Sequence, residues 1–306
     1  MRAAATALRD SVAPDIRDRM VLPFDHAQRR WLEYRPEPRP GVTLGDLAPA
    51  ARKNAHRLLA TALSPGAYAQ AMAIVALEEV LDRAEGWRRG RHSNDYAVVL
   101  FGEPGGDAPW AWRFEGHHLS LTMTLDGDVV APTPVFLGAN PARVEHAGHV
   151  VSRPLAPEED LARALLAEMG RGARAAAIVA DRPPADIRSG PRADVDAGIV
   201  PAGVAATDLG SAARDLLARL VGVYLSRLDG ELAAAETARL EPDRLHFAWE
   251  GSTQPGGPHY YRIQAPALLI EYDNRDNDAN HAHTVLRRPG ADFGDDVLTA
   301  HRVAHH

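Results

Sequence analysis

Apolar and polar positions change period several times along this chain. Leu47 to Leu63 and Tyr68 to Ala84 follow a helical period, with Met72, Val75, Leu77 and Leu81 near one face of the second stretch. Ser64-Pro65-Gly66 breaks them apart, Ser64 as a helix N-cap and Pro65 at the first helical position. Tyr96 to Phe101 reads as a strand ending in the turn Gly102 to Gly106. Trp110 to Leu125 alternates as one long strand, and Asp126-Gly127 supplies a hairpin turn. Val129 to Val135 carries prolines and suits an edge or a loop. Pro157-Glu158-Glu159-Asp160 opens a helix through Met169, its acidic first turn matching the positive end of the dipole. A helix follows from Ser211 to Leu240, then mostly strands up to His283 and a short terminal helix.

This pattern predicts an α+β fold, with helices packed on mainly antiparallel sheets. It divides into an arm and first half over 1–182, a Pro/Gly/Asp-rich linker or long loop over 183–210, and a second half over 211–306. A weak repeat suggests that the halves are related helix–hairpin units. Pro104-Gly-Gly, Trp110, Arg113, Glu115 and Leu119-Ser-Leu121 recur in order as Pro255-Gly-Gly, His259-Tyr-Tyr, Arg262, Gln264 and Leu268-Leu-Ile270. Pro-Gly-Gly is also ordinary turn chemistry, so two similar hairpins explain the match equally well. Related halves would place a site between them.

The chemistry concentrates in His259 to His283. Taken as a strand up to Asp273, this segment puts Glu271 and Asp273 on the face opposite Ile270 and Tyr272. An unbroken strand would add His259 to the carboxylate face. The polar run Asn274 to Asn280 turns the chain, and His281 and His283 then share a face. Pairing around that loop can set Asp273 across from His281 and Glu271 across from His283, with Cβ atoms about 4.5–5.5 Å apart. His259, Glu271, His281 and His283 are therefore the expected metal ligands, with Asp273 as a fifth ligand or a support. Imidazole with carboxylate suits a divalent transition metal: Zn, Mn, Fe or Cu. A hydrogen-bonded ladder that only fixes the hairpin is the structural alternative. In Arg113-Phe-Glu115-Gly-His117-His118, adjacent strand histidines would point to opposite faces. His118 is taken as the site residue and His117 as a rim or core histidine. His118 or Glu115 would move protons, Arg262 would orient an anion, and Tyr260 is a further proton donor.

Composition narrows the classes. The 306 residues carry 34 Lys+Arg against 41 Asp+Glu, a net charge of −7, which argues against a general nucleic-acid binder. The absence of Cys excludes disulfides, thiolate metal sites and a cysteine nucleophile. Ala71 to Leu81, the most apolar stretch, already contains Glu78 and Glu79, so no membrane span is expected. The N-terminus lacks the apolar run of an export signal, and a cytoplasmic protein is the expectation. GxxxxGK[ST], HExxH, GxSxG and GxGxxG are missing, so no nucleotide cofactor is expected. Fourteen histidines remain the anomaly; His301 falls in a terminal amphipathic stretch expected to pack back, and His305 and His306 read as tail.

Several strings carry a resemblance: FGEPGGDAPWAWRFEGHHLSLTMTL, TPVFLGANPARV, FAWEGSTQPGGPHYYRIQAPALLIEYDN and NDANHAHTV with DFGDDVL. Together they resemble the DUF3500 family of uncharacterised proteins, from the FDHAQRRWLEYRP arm to the terminal helix. Ala265 and Ala282 depart from that pattern, standing where family members carry Gly and Ile. The resemblance implies no reaction. The residues themselves favour a metal-dependent enzyme acting on a small polar or anionic molecule, a hydrolase before an oxidoreductase, with a metal-activated water as nucleophile. Two alternatives stay open: a metal- or ligand-binding protein without turnover, and metal-free His/Tyr/Arg acid–base chemistry such as a lyase.

Overall fold

A computed structural model describes residues 1–299; His301, His305 and His306 lie outside the described residues. The fold is α+β, built on one large, mostly antiparallel sheet. From one edge the order is Val21–Leu22, Ala97–Phe101, Trp110–Gly116, Leu119–Asp126 and Val135–Ala139. It continues through Ala282–Arg287, Leu268–Asp273, His259–Ala265, His246–Gly251 and Ile178–Ala180. Both outermost pairings are parallel and the pairings between them antiparallel.

One face of the sheet meets helices. Leu100, Trp112, Phe114, Leu121, Leu137, Tyr261, Ile270 and Tyr272 pack with Leu58, Ile74, Leu165, Leu220 and Tyr224 in a single apolar cluster. The helices Pro49–Ala60 and Pro65–Ala84 are separated as the breaker predicts, Ser64 accepting a bond from the Ala67 N–H at 3.3 Å. In the second half the expected single helix is two, Ser211–Leu225 and Gly230–Ala238. The backbone joins the two helix pairs where they meet, the Ser64 N–H donating to Arg227 O at 2.9 Å and the Asp229 N–H to Ala62 O at 2.9 Å. Beneath that junction Arg227 pairs with Glu158 at 2.6 Å, both buried.

The other face is polar and equally buried. Two irregular segments, about 23–40 and 181–203, lie across it, and such segments bring backbone groups that must find partners. The strand side chains supply them. Arg113 donates to Gln28 O and Trp31 O, Gln264 to Ile199 O, and Arg287 to Ala193 O. Tyr34 stacks on Phe136, and Ile187 packs with Phe136 and Val285. Residues 183–203, the larger part of the 183–210 segment read from composition as a linker or long loop, therefore hold one side of the sheet shut.

Two expected strands are hairpins. Trp110–Gly116 and Leu119–Asp126 are joined by a two-residue turn at His117-His118. His259–Ala265 and Leu268–Asp273 are joined likewise at Pro266-Ala267. Of Val129 to Val135, read as an edge or a loop, Val129–Ala131 is a short strand paired beside Leu119–Asp126 off the main strand order, whereas Val135 opens Val135–Ala139, a central strand between Leu119–Asp126 and Ala282–Arg287.

Among the described residues, no helix is long and apolar enough to cross a membrane.

Candidate metal centre

The hairpin turns decide which side chains converge. Because Ala265 pairs with Leu268, the face count inverts across the turn: Tyr260 stands opposite Asp273, and His259 falls on the helix-packed face. There His259 stacks on Trp249 with ring centroids 4.4 Å apart, and its Nδ1 lies 3.0 Å from Arg163 Nη2. Burial lowers its pKa to about 4. His259 is thus apart from His281 and His283, and the expectation that it joins them rested on a strand without a turn.

Glu271 keeps the expected face, but its carboxylate is engaged elsewhere. It accepts from the Arg188 N–H at 2.6 Å, the Ser189 N–H at 3.2 Å and the Tyr260 hydroxyl at 2.8 Å, tying the 181–203 segment to the sheet. That bonding also commits Tyr260. Glu271 itself stands across the strands from Val285, not from His283. Glu115 is sealed with Arg113 at 2.9 Å, both fully buried, and burial raises the carboxyl's pKa.

His118, His281 and His283 do come together, each offering a nitrogen within 4.8 Å of the others. His118 and His281 face each other through Nε2 at 2.7 Å. His283 presents Nδ1 to Asp186 at 2.7 Å, which leaves its Nε2 for another partner. Asp186 also accepts from the Tyr34 hydroxyl at 2.9 Å, and the Tyr34 carbonyl takes the His118 N–H at 3.1 Å. His118 reaches the cluster because it sits in the turn, with a left-handed φ of 67°. Such a backbone is uncommon outside Gly, Asn and Asp. For the same reason His117 does not point to the opposite face; its ring lies 3.7 Å from that of His118. His117 Nδ1 meets Glu78 at 2.6 Å, extending the polar chain to the Pro65–Ala84 helix.

Space for these rings comes from Gly138. A Cβ there would stand 2.8 Å from His118 Cδ2, 3.0 Å from the Ala282 carbonyl oxygen and 3.1 Å from His283 Cδ2. Burial, followed by the neighbouring histidines, pushes the His118 pKa well down and that of His281 to about 3. Both are therefore neutral at physiological pH, the form in which imidazole binds metal. Asp273 sits directly across from His283, one strand pair from the position expected for it. Burial, reinforced by Asp186, raises its pKa to about 7 against the opposing pull of His283.

The donor set fits a transition-metal ion: three imidazoles, with a carboxylate on the far nitrogen of one, an arrangement that fixes tautomer and orientation at metal sites. At 2.7 Å the His118–His281 separation is shorter than the roughly 3.3 Å between neighbouring ligands of a tetrahedral zinc, so the rings would part slightly to admit one. Two further groups overlap this one, Glu78 with His117 and His118, and Asp186 with Asp273 and His283. Arg262, on the same polar face, lines a separate cavity beside Asp186.

Sequence reasoning missed Asp186, Tyr34, Glu78 and Gly138. Of these only Glu78 has a local signal, an acid on the apolar side of a helix.

No curated protein and no solved structure matches the chain. The family model described as "Protein of unknown function (DUF3500)" matches residues 1–295, and the chain belongs to that family.

Proposed function

We propose that the protein is a metal-dependent enzyme, hydrolytic in its chemistry, acting on a small polar or anionic substrate. The observation that carries this reading is the convergence of His118, His281 and His283 with Asp186 on the rear nitrogen of His283. His281 and His283 are mostly but not fully buried, His283 keeping 13% of its side-chain surface exposed, and that exposure is the side from which a substrate would reach the cluster, as catalytic sites require and closed structural sites do not. A bound divalent ion would supply Lewis-acid polarisation and a more acidic water.

The chain's own groups do the rest. Asp186 holds the His283 ring and keeps a proton on its Nδ1. Asp273, with a pKa near 7, can take or give a proton beside that ring at neutral pH. His118 and Glu115 are reassigned: His118 becomes a ligand, and Glu115 remains structural with Arg113.

A second reading, metal-free acid–base chemistry, is favoured by the 2.7 Å contact itself. With one neutral ring carrying its proton on Nε2 it is an N–H···N hydrogen bond, and the His117–Glu78 pair lies beside it, the His117 ring 3.7 Å from that of His118.

Elemental analysis of untagged protein purified without chelator tests the proposal. The expected result is about one transition-metal ion per chain, lost in His281→Ala and His283→Ala and retained in His259→Ala. Hydrolysis of small ester, amide and phosphoester substrates should stop on chelation and return with metal. A chain that binds no metal, or that keeps it in His281→Ala, overturns the metal reading. Activity that survives chelation selects the second.

A further inference from the structure

One cation on the polar face of the sheet has no hydrogen-bonded anion among the described residues. Arg262, on the strand His259–Ala265, is nine-tenths buried, and its Nε has no hydrogen-bond partner among the described residues. The charges around it are already committed. Glu250 binds Arg188 at 2.5 Å, Asp196 lies 3.4 Å from Arg192, and Asp186 is held by His283 and Tyr34. Glu271, directly across from Arg262, is occupied by two backbone N–H groups and the Tyr260 hydroxyl.

Arg262 lines an open cavity of about 570 Å³, whose other walls include Asp186, Ile187, Arg188, Arg192 and Ile199. That volume lies within the roughly 300–1,000 Å³ typical of small-molecule sites. Removing a guanidinium from water is costly unless an anion answers it, and its planar fork matches a carboxylate or phosphate through two parallel bonds. We propose that this cavity binds the carboxylate or phosphate group of a small molecule, with Arg262 as its principal contact. Asp186 belongs both to the cavity wall and to the histidine cluster. As the seat of the substrate's anionic end the cavity therefore rests on the metalloenzyme reading, whereas anion binding as such does not.

The test titrates inorganic phosphate and succinate separately into the full-length chain, following heat of binding and thermal unfolding. Metal-containing protein is compared with protein that has been chelator-treated and then desalted. At least one anion should bind saturably with or without metal, at least tenfold more weakly in Arg262→Gln and to an intermediate degree in Arg262→Lys. Preference for phosphate or for succinate identifies the anion class, and either supports the site. Should Arg262→Gln fail to fold, Ala185→Glu, which adds a competing carboxylate to the cavity wall, should weaken binding in its place. No saturable binding up to tens of millimolar, or equal binding in the variants, overturns the proposal. Metal uptake that is intact while anion binding is absent would sink this site and leave the metal reading standing; the converse would do the reverse.

Discussion

At the scale of single residues, the site depends on positions that carry no ligand atom. Gly138 is the clearest. The Cβ of Gly138→Ala would press on two imidazoles and on the Ala282 carbonyl, and only the rings can yield. Such overpacking costs about 1–3 kcal/mol. The expected outcome is a variant that folds with a modestly lower melting temperature and binds metal at least tenfold more weakly, checked by calorimetry and by metal titration. His281 and His283 were legible from sequence because a His-x-His on a strand shares one face whatever the strand pairs with. His118 was legible as a candidate, but its route into the cluster, a left-handed turn position, was not. His259 was misassigned because its face depends on a turn at Pro266-Ala267, and neither residue is a strong hairpin signal there.

At the scale of elements, the segment 181–203 shows how composition can mislead about importance. It has the makeup of a linker, yet Glu271 anchors its backbone and Asp186 braces His283. Glu271→Gln keeps the shape but removes the charge that strengthens these bonds, a loss of about 1–3 kcal/mol. Limited proteolysis should then cut within 181–203 faster than in the wild type, with a lower melting temperature. Unchanged cleavage would show that the anchor contributes nothing. The helices and their breaker at Ser64 were legible because capping and periodicity are local. The register around Asn274 to Asn280 was not: the loop pairs Asp273 with His283, two residues from the expected partner, although the shared face survives because the slip is even.

At the scale of the whole molecule, both faces of the sheet are buried, one against helices and one beneath irregular chain. Several imidazoles are sealed in neutral form as a result, and this makes stability depend on pH. His259 has a folded pKa of about 4 against an ordinary value of 6.5. The unfolded chain then binds more protons than the folded one, so the contribution is fully present above about pH 6.5 and is lost progressively as pH falls towards 4. At about 1.4 kcal/mol per pH unit, that single ring accounts for about 3 kcal/mol. Denaturant unfolding between pH 7 and 4 should show this decline, and His259→Gln should flatten it. A parallel decline in that variant would assign the acid sensitivity to other groups.

The sequence by itself determined the class of fold, the helix boundaries that depend on caps and prolines, and the shared face of His281 and His283. Each follows from interactions within a few residues along the chain. The tertiary structure alone decided the rest: that His118 meets His281 across the middle of the sheet, that Asp186 closes on His283 from a distant loop, that His259 is walled off behind Trp249, and that Arg262 has no hydrogen-bonded anion among the described residues. These outcomes depend on strand order, on turns that invert the face count, and on irregular segments seeking partners for their backbone. Such long-range pairings are set by the packing of the whole chain, and no local pattern encodes them.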